Sequence, residues 1–221
     1  MKVVTSYRYN DIHTHTASHI DDVLSVLNVY QSFDSIKNGG VYSVGLHPWY
    51  LQNADVDFDS MTAIASKSNV LAIGECGLDK VCATDWALQL SYFQKQVRLA
   101  NALSKPLIIH CVRAFEEVIE VLDAEKVHVP VVFHGYNKNN ILARRLLHKG
   151  YYLSIGAAIL NGNSTIQQVV KEVPADRFFA ETDNSGKSII DIYHCLAEIR
   201  KTEVDTIILQ LQDNFKSVFV Q

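Results

Sequence analysis

Val70-Leu71-Ala72-Ile73-Gly74-Glu75-Cys76-Gly77-Leu78-Asp79 opens with four apolar residues and then sets a carboxylate against them. The run Val70–Gly74 reads as a parallel β-strand covered on both faces. A carboxylate at the tail of such a strand is costly unless it is paired or bound to a cation. The small glycines around Glu75 point to a crowded backbone. The same pattern recurs along the chain: His110 closes Pro106–Ile109, His134 closes Val131–Phe133, and Asp183 follows Phe178–Ala180. Near the start, Asp11-Ile12-His13-Thr14-His15 places two histidines two apart, which in a strand puts both rings on one face. His13, His15, Glu75, His110, His134 and Asp183 are too many ligands for one tetrahedral zinc. They suit a pair of divalent ions, and with it metal-assisted hydrolysis.

Outward from these strand ends, eight strand-like segments are read: Tyr7–His13, Val23–Val29, Val41–Gly45, Val70–Gly74, Pro106–His110, Val131–His134, Tyr151–Ile155 and Arg177–Thr182. Amphipathic stretches lie between them, at Ala87–Leu103, Phe115–Leu122, Ile141–His148 and Ser164–Glu172. Two more, Ile189–Lys201 and Val204–Phe219, follow the last strand. Lys149-Gly150 is a helix stop. Alternating strands and helices, with chemistry-bearing residues at the strand ends, predict an α/β fold, a compact TIM-like (β/α) barrel. Thr16–Asp22 is too short for a crossover helix, so the helix after the first strand is shortened or missing. A single domain over residues 1–221 is expected.

Composition sets outer bounds. Hydrophobic residues make up 48% and charged residues 20%, as in ordinary globular proteins. The net charge is −4 with no Lys/Arg run, so a nucleic-acid contact has to rest on a few local cations. No apolar stretch reaches membrane-spanning length, and Met1–Asn10 lacks a signal-peptide hydrophobic region. A cytoplasmic protein with no obligatory protein partner is expected. Cys76, Cys82, Cys111 and Cys195 form no CxxC, and alternation turns Cys76 and Cys111 away from the face used by Glu75 and His110.

Around the six ligands, Asp11 shares the face of His13, where it orients a ligand or caps the strand. Glu181 lies deeper than Asp183 as its structural partner. His47, in Gly45-Leu46-His47-Pro48-Trp49, is placed as a substrate or supporting residue rather than a ligand. Arg113, Lys138 and Lys187 are candidate phosphate contacts, and Tyr136 and Trp49 candidate stacking rings. His19, His128, His148 and His194 read as surface residues.

These motifs, in this order, resemble the TatD family of metal-dependent hydrolases within the amidohydrolase-like TIM barrels. The opening Asp-Ile-His-Thr-His, Val-Gly-Leu-His-Pro, Ala-Ile-Gly-Glu-Cys-Gly-Leu-Asp, Pro-Leu-Ile-Ile-His, Val-Val-Phe-His-Gly and Glu-Thr-Asp carry the resemblance over essentially the whole chain. It implies that His13, His15 and Asp183 hold one ion, His110 and His134 a second, and that Glu75 bridges them. It implies a deoxyribonuclease requiring a divalent ion. Two ions held in this way would activate a shared water, with Asp183 the candidate to accept its proton. Family members are described with magnesium, whereas four imidazoles suit zinc, manganese, cobalt or nickel. The chain departs from the family at Cys111-Val112-Arg113-Ala114, at His134-Gly135-Tyr136, and after Asp183, where a long basic loop is largely deleted. Those departures keep open a small phosphoester, lactone or amide as substrate. A barrel with only a binding role is disfavoured, because crowded carboxylates without a cation repel one another.

Overall fold

The computed structural model describes residues 7–162 and 164–220. Residues 1–6, part of the opening stretch read for a signal peptide, lie outside the described residues. The strands are β1 (Tyr9–Thr14), β2 (Val23–Val29), β3 (Val41–Val44), β4 (Val70–Asp79), β5 (Leu107–Val112), β6 (Val131–Phe133), β7 (Tyr152–Ile155) and β8 (Phe178–Ala180). They form one eight-stranded sheet in the order β1 to β8, with parallel registers. The helices are α1 (Ala54–Ala65), α2 (Trp86–Leu103), α3 (Phe115–Ala124), α4 (Asn140–His148), α5 (Ser164–Glu172), α6 (Ile189–Arg200) and α7 (Val204–Phe219). This is the expected α/β, TIM-like (β/α) arrangement, and no helix lies between β1 and β2. No helix among the described residues is long and apolar enough to cross a membrane.

Contacts divide the chain into two compact units, Asn28–Val131 and the combination of the segments up to Leu27 and from Val132. In the second of these, β1 meets β8 directly. Asp183 N–H donates to His13 O at 2.9 Å, and an isolated parallel bridge joins Thr14 to Asp183. Asp11 reinforces the join by accepting from Thr182 N–H (2.9 Å) and Thr182 Oγ1–H (2.6 Å). The core of this unit is filled by Ile12, Leu153, Ile155, Phe178, Phe179, Ile192 and Phe215, each fully buried or nearly so. Burial of each such side chain contributes about 1.5–3 kcal/mol.

The unit Asn28–Val131 is built around β3, β4 and β5. All ten residues of β4 are buried. Its register against β5 shifts between Ile73 and Cys76: Ile73 pairs with Leu107, but Cys76 pairs with Ile109. One extra residue therefore sits on β4 at Gly74-Glu75, a bulge that re-aims the side chain there. The strand continues to Asp79, five residues beyond the expected end, so Glu75 stands inside β4 rather than at its tip. Glycine is needed on both sides of it. A Cβ on Gly74 (φ +151°) would lie 2.5 Å from Ile108 O, and one on Gly77 (φ +150°) 2.0 Å from His110 O.

Local signals set the helix ends. Asp85, Asn139 and Ser188 accept from the backbone N–H of Leu88, Leu142 and Ile190 at the starts of α2, α4 and α6. Gly150, at φ +82°, follows α4 where the Lys149-Gly150 stop was expected.

Candidate metal centre

In the unit that carries β1 and β8, the His-x-His pair converges on Asp183. Its Oδ1 lies 3.3 Å from His15 Nε2 and 3.7 Å from His13 Nε2. One ligand atom from each of the three residues falls within 4.8 Å of the others. His13 is fully buried and its ring lies 5.5 Å from that of His15. Asp183 adopts φ 51°, a left-handed conformation that aspartate tolerates better than most residues. Thr14, between the two histidines, fixes the geometry: its hydroxyl lies within hydrogen-bond reach of Thr16 O (3.0 Å) and Asp183 O (3.3 Å).

His134 stands against the same group, its ring centroid 4.4 Å from that of His13. Glu181 lies beneath it, fully buried. Its Oε1 accepts from Gly135 N–H at 2.7 Å and is 3.3 Å from His134 Nδ1, which orients the imidazole with Nε2 outward. Glu181 Oε2 has no hydrogen-bond partner among the described residues. Asp11, two residues before His13, is pushed up to about 7 by burial, against the opposing pull of its two bonds from Thr182. A cavity of about 580 Å³ adjoins this group, lined by Thr14, His19, Asp183, Ser185 and Lys187 among others.

In the unit Asn28–Val131, Glu75, His110 and His47 form a second group, again with ligand atoms within 4.8 Å. His110 Nδ1 lies 2.7 Å from Glu75 Oε1, and its Nε2 lies 3.2 Å from Asp79 Oδ2. His110 Nδ1 also lies 3.2 Å from His47 Nε2, so the ring is gripped by two carboxylates and a second imidazole. Burial pushes Asp79 up, but its bonds from Trp49, Val81 and His110 outweigh burial and hold it below its ordinary value. His47 Nδ1 accepts from Trp49 N–H at 3.1 Å. The ring proton of neutral His47 therefore sits on Nε2, which faces both His110 Nδ1 (3.2 Å) and Glu75 Oε1 (3.3 Å).

Two residues of this group lay outside the expected set. Asn28 accepts from Glu75 N–H at 2.8 Å and places its Nδ2 3.4 Å from Glu75 Oε2, so the carboxylate is held from both ends. Its signal was a polar residue inside the apolar strand Val23–Val29. Asp79, 2% exposed, gathers Trp49 Nε1–H (2.6 Å), Val81 N–H (2.7 Å) and His110. Nothing in its position at the far end of the Glu75 motif marked it.

Of the candidate substrate contacts, Arg113 is exposed directly after β5, and Lys138 and Lys187 are exposed. Tyr136 is 3% exposed with its hydroxyl donating to Asn139 O, so its ring is turned inward. Trp49 is 48% exposed. His19, His128, His148 and His194 are exposed, as expected. The four cysteines are free thiols outside the ligand groups, and burial pushes the Cys76 thiol well above its ordinary value, which makes it inert.

Comparison with known proteins gives a consistent outcome. The sequence model of the family described as TatD related DNase matches residues 8–220. An uncharacterized metal-dependent hydrolase of Buchnera aphidicola is 26% identical, covering 96% of this chain and 91% of its own. The 3'-5' ssDNA/RNA exonuclease TatD of Cronobacter turicensis is 33% identical over 64% of this chain and 56% of its own. Among solved structures, the TatD homologue YJJV of Escherichia coli superposes with a TM-score of 0.83 at 20% identity, covering 96% of this chain and 98% of that one. A TatD-family hydrolase from Entamoeba histolytica gives 0.78 at 16% identity, covering 97% of this chain and 99% of that one.

Proposed function

Since the chain belongs to the TatD-related DNases and is a metal-dependent hydrolase of that family, we propose that it is a phosphodiesterase acting on single-stranded nucleic acid, DNA above all, in the cytoplasm. The observation that carries this reading is the convergence of His13, His15 and Asp183 beside a cavity large enough for a nucleotide. The proposed ligands of one divalent ion are these three residues; those of a second are His110 and Glu75, with His134 and the sharing of Glu75 taken over from the family resemblance. Divalent ions so held lower the pKa of a water and stabilise charge on a phosphoryl oxygen. Zinc, manganese, cobalt or nickel fits the imidazole-rich set better than magnesium.

The chain's own residues supply the rest. Asp183, with 45% of its side chain exposed toward solvent, is positioned to take the proton released as the attacking oxygen forms its bond. Glu181 and Asp79 keep the His134 and His110 rings from rotating, and Asn28 fixes Glu75. Lys187, on the cavity wall, and exposed Arg113 are the cations offered to phosphate.

The second reading keeps the same centre for a small phosphoester, lactone or amide. It is favoured by the short connection between Asp183 and α6, where only residues 184–188 stand, and by the net charge of −4. Side-by-side turnover of a single-stranded oligonucleotide and a panel of small esters, with each metal and with chelator, tests the proposal. Metal-dependent release of mononucleotides is expected, and hydrolysis confined to small esters would move the assignment to the second reading. Elemental analysis is expected to find two ions per chain.

A further inference from the structure

Among the described residues, Trp49 is an exposed aromatic ring tied by hydrogen bond to a proposed ligand's partner, and its position is fixed although nearly half of it faces solvent. Its Nε1–H donates to Asp79 Oδ2 at 2.6 Å, the same oxygen that lies 3.2 Å from His110 Nε2. Its backbone N–H is held by His47. Rings meet the indole at steep angles: His47 at 87° and 5.1 Å, His110 at 76° and 6.1 Å, Tyr50 at 65° and 6.4 Å. Tyr50 in turn stacks on Tyr30 at 4.9 Å and 18°, which backs this corner with a second aromatic pair. An indole left 48% exposed forgoes part of the gain of burying so large an apolar ring. Here the loss is not the result of a side chain free to swing, because both of its N–H groups are engaged. An immobilised, solvent-facing ring has already lost its rotamer freedom, so a planar ligand that stacks on it binds with little further ordering.

We infer that Trp49 is the stacking platform for the nucleobase next to the scissile phosphate, so that this chain recognises its substrate as single-stranded nucleic acid and not as a bare phosphoester. The inference rests on the phosphodiesterase reading above and deepens it. The indole lies 6.1 Å from the His110 ring, so a base stacked on Trp49 stands about one nucleotide's length from the Glu75–His110 group. Aromatic stacking accepts any base, because every base has a π-face, so the platform selects for unpaired strands without selecting sequence. Asp79 couples the two functions through one oxygen: it aims the ring and the histidine together.

Two measurements test it, one of them independent of turnover. A cleavage-resistant phosphorothioate dinucleotide is expected to quench the emission of Trp49, and its doubly abasic counterpart to quench it far less. Trp49→Phe, which leaves Trp86 as the only tryptophan, is expected to lose that signal. In kinetics, an oligonucleotide abasic at either terminus is compared with the intact strand. Removing a stacked base is expected to lower kcat/KM by about tenfold or more in the unaltered protein. Trp49→Leu is expected to bring the intact-to-abasic ratio close to one, whereas Trp49→Phe keeps a ring and most of the ratio while losing the bond to Asp79. A Trp49→Leu protein that discriminates as well as the unaltered one overturns the inference, as does the absence of quenching. A protein that cleaves no oligonucleotide yet shows base-dependent quenching of Trp49 retains the stacking site and loses the phosphodiesterase reading.

Discussion

Asp183→Asn keeps the shape of the side chain but removes the charge that stands 3.3 Å from His15 Nε2. Metal-dependent turnover is expected to fall by about 100-fold or more, with an unchanged circular dichroism spectrum. Full activity in a folded Asp183→Asn protein would reject its role as base and ligand. Glu181→Gln leaves one carbonyl to serve both Gly135 N–H and His134 Nδ1, and is expected to weaken metal affinity by about 10–100-fold, measured by competition with a chelating dye. Asp11 gives a pH signature in the metal-free protein. Its folded-state value is raised to about 7 from an ordinary value near 4, so between those limits the folded state holds a proton that the unfolded chain releases. Its stabilising contribution is present below about pH 4 and is lost as the pH rises through about 7. Asp11→Asn is expected to flatten urea stability across that window, where the slope reaches at most about 1.4 kcal/mol per pH unit; an unchanged slope would remove Asp11 as its source. At this scale the sequence was legible where a polar residue followed an apolar run, as at His110 and Asp183, both of which fall in the grouped side chains. Asn28 and Asp79 were not, because their importance lies in which side chain they hold, and that is a property of pairing across strands.

Gly77→Ala places a methyl group where His110 O already stands, at 2.0 Å, on a backbone with φ +150°. Neither neighbour is the end of a flexible side chain, so β4 and β5 have to part. A loss of about 3 kcal/mol or more is expected from urea denaturation, together with loss of metal at His110. A substitution that left stability within about 0.5 kcal/mol would show that the two strands separate freely there. The crowding around Glu75 was readable from its glycines, but the bulge was not: its extra residue becomes visible only in the register against β5. Elements with clean periodicity were read closely, among them β2, α5 and α7. Helix α1 was missed for a physical reason. Asp55-Val56-Asp57-Phe58-Asp59 alternates with a period of two, and the helix buries only Ala54, Met61 and Ala65 while Val56 is 68% exposed.

Ions that bind the folded chain and not the unfolded one stabilise it by mass action, about 2.7 kcal/mol for one site at a hundred times its dissociation constant. For a chain of 221 residues that corresponds to a rise in Tm of roughly 5–10 °C per site. Scanning calorimetry with zinc or manganese against chelator measures it, and a Tm indifferent to metal would reject the two-ion reading. The alternation of strands and helices made the barrel class legible at this scale, whereas the grouping of the early segment with the late one came only through the family resemblance that sets Asp183 with His13 and His15, since no local pattern announces a partner so far along the chain. That grouping also bears on truncation. The residue that His13 and His15 converge on lies 169 positions beyond Thr14. A fragment that stops short of β8 therefore keeps both imidazoles of the proposed site and lacks the carboxylate between them.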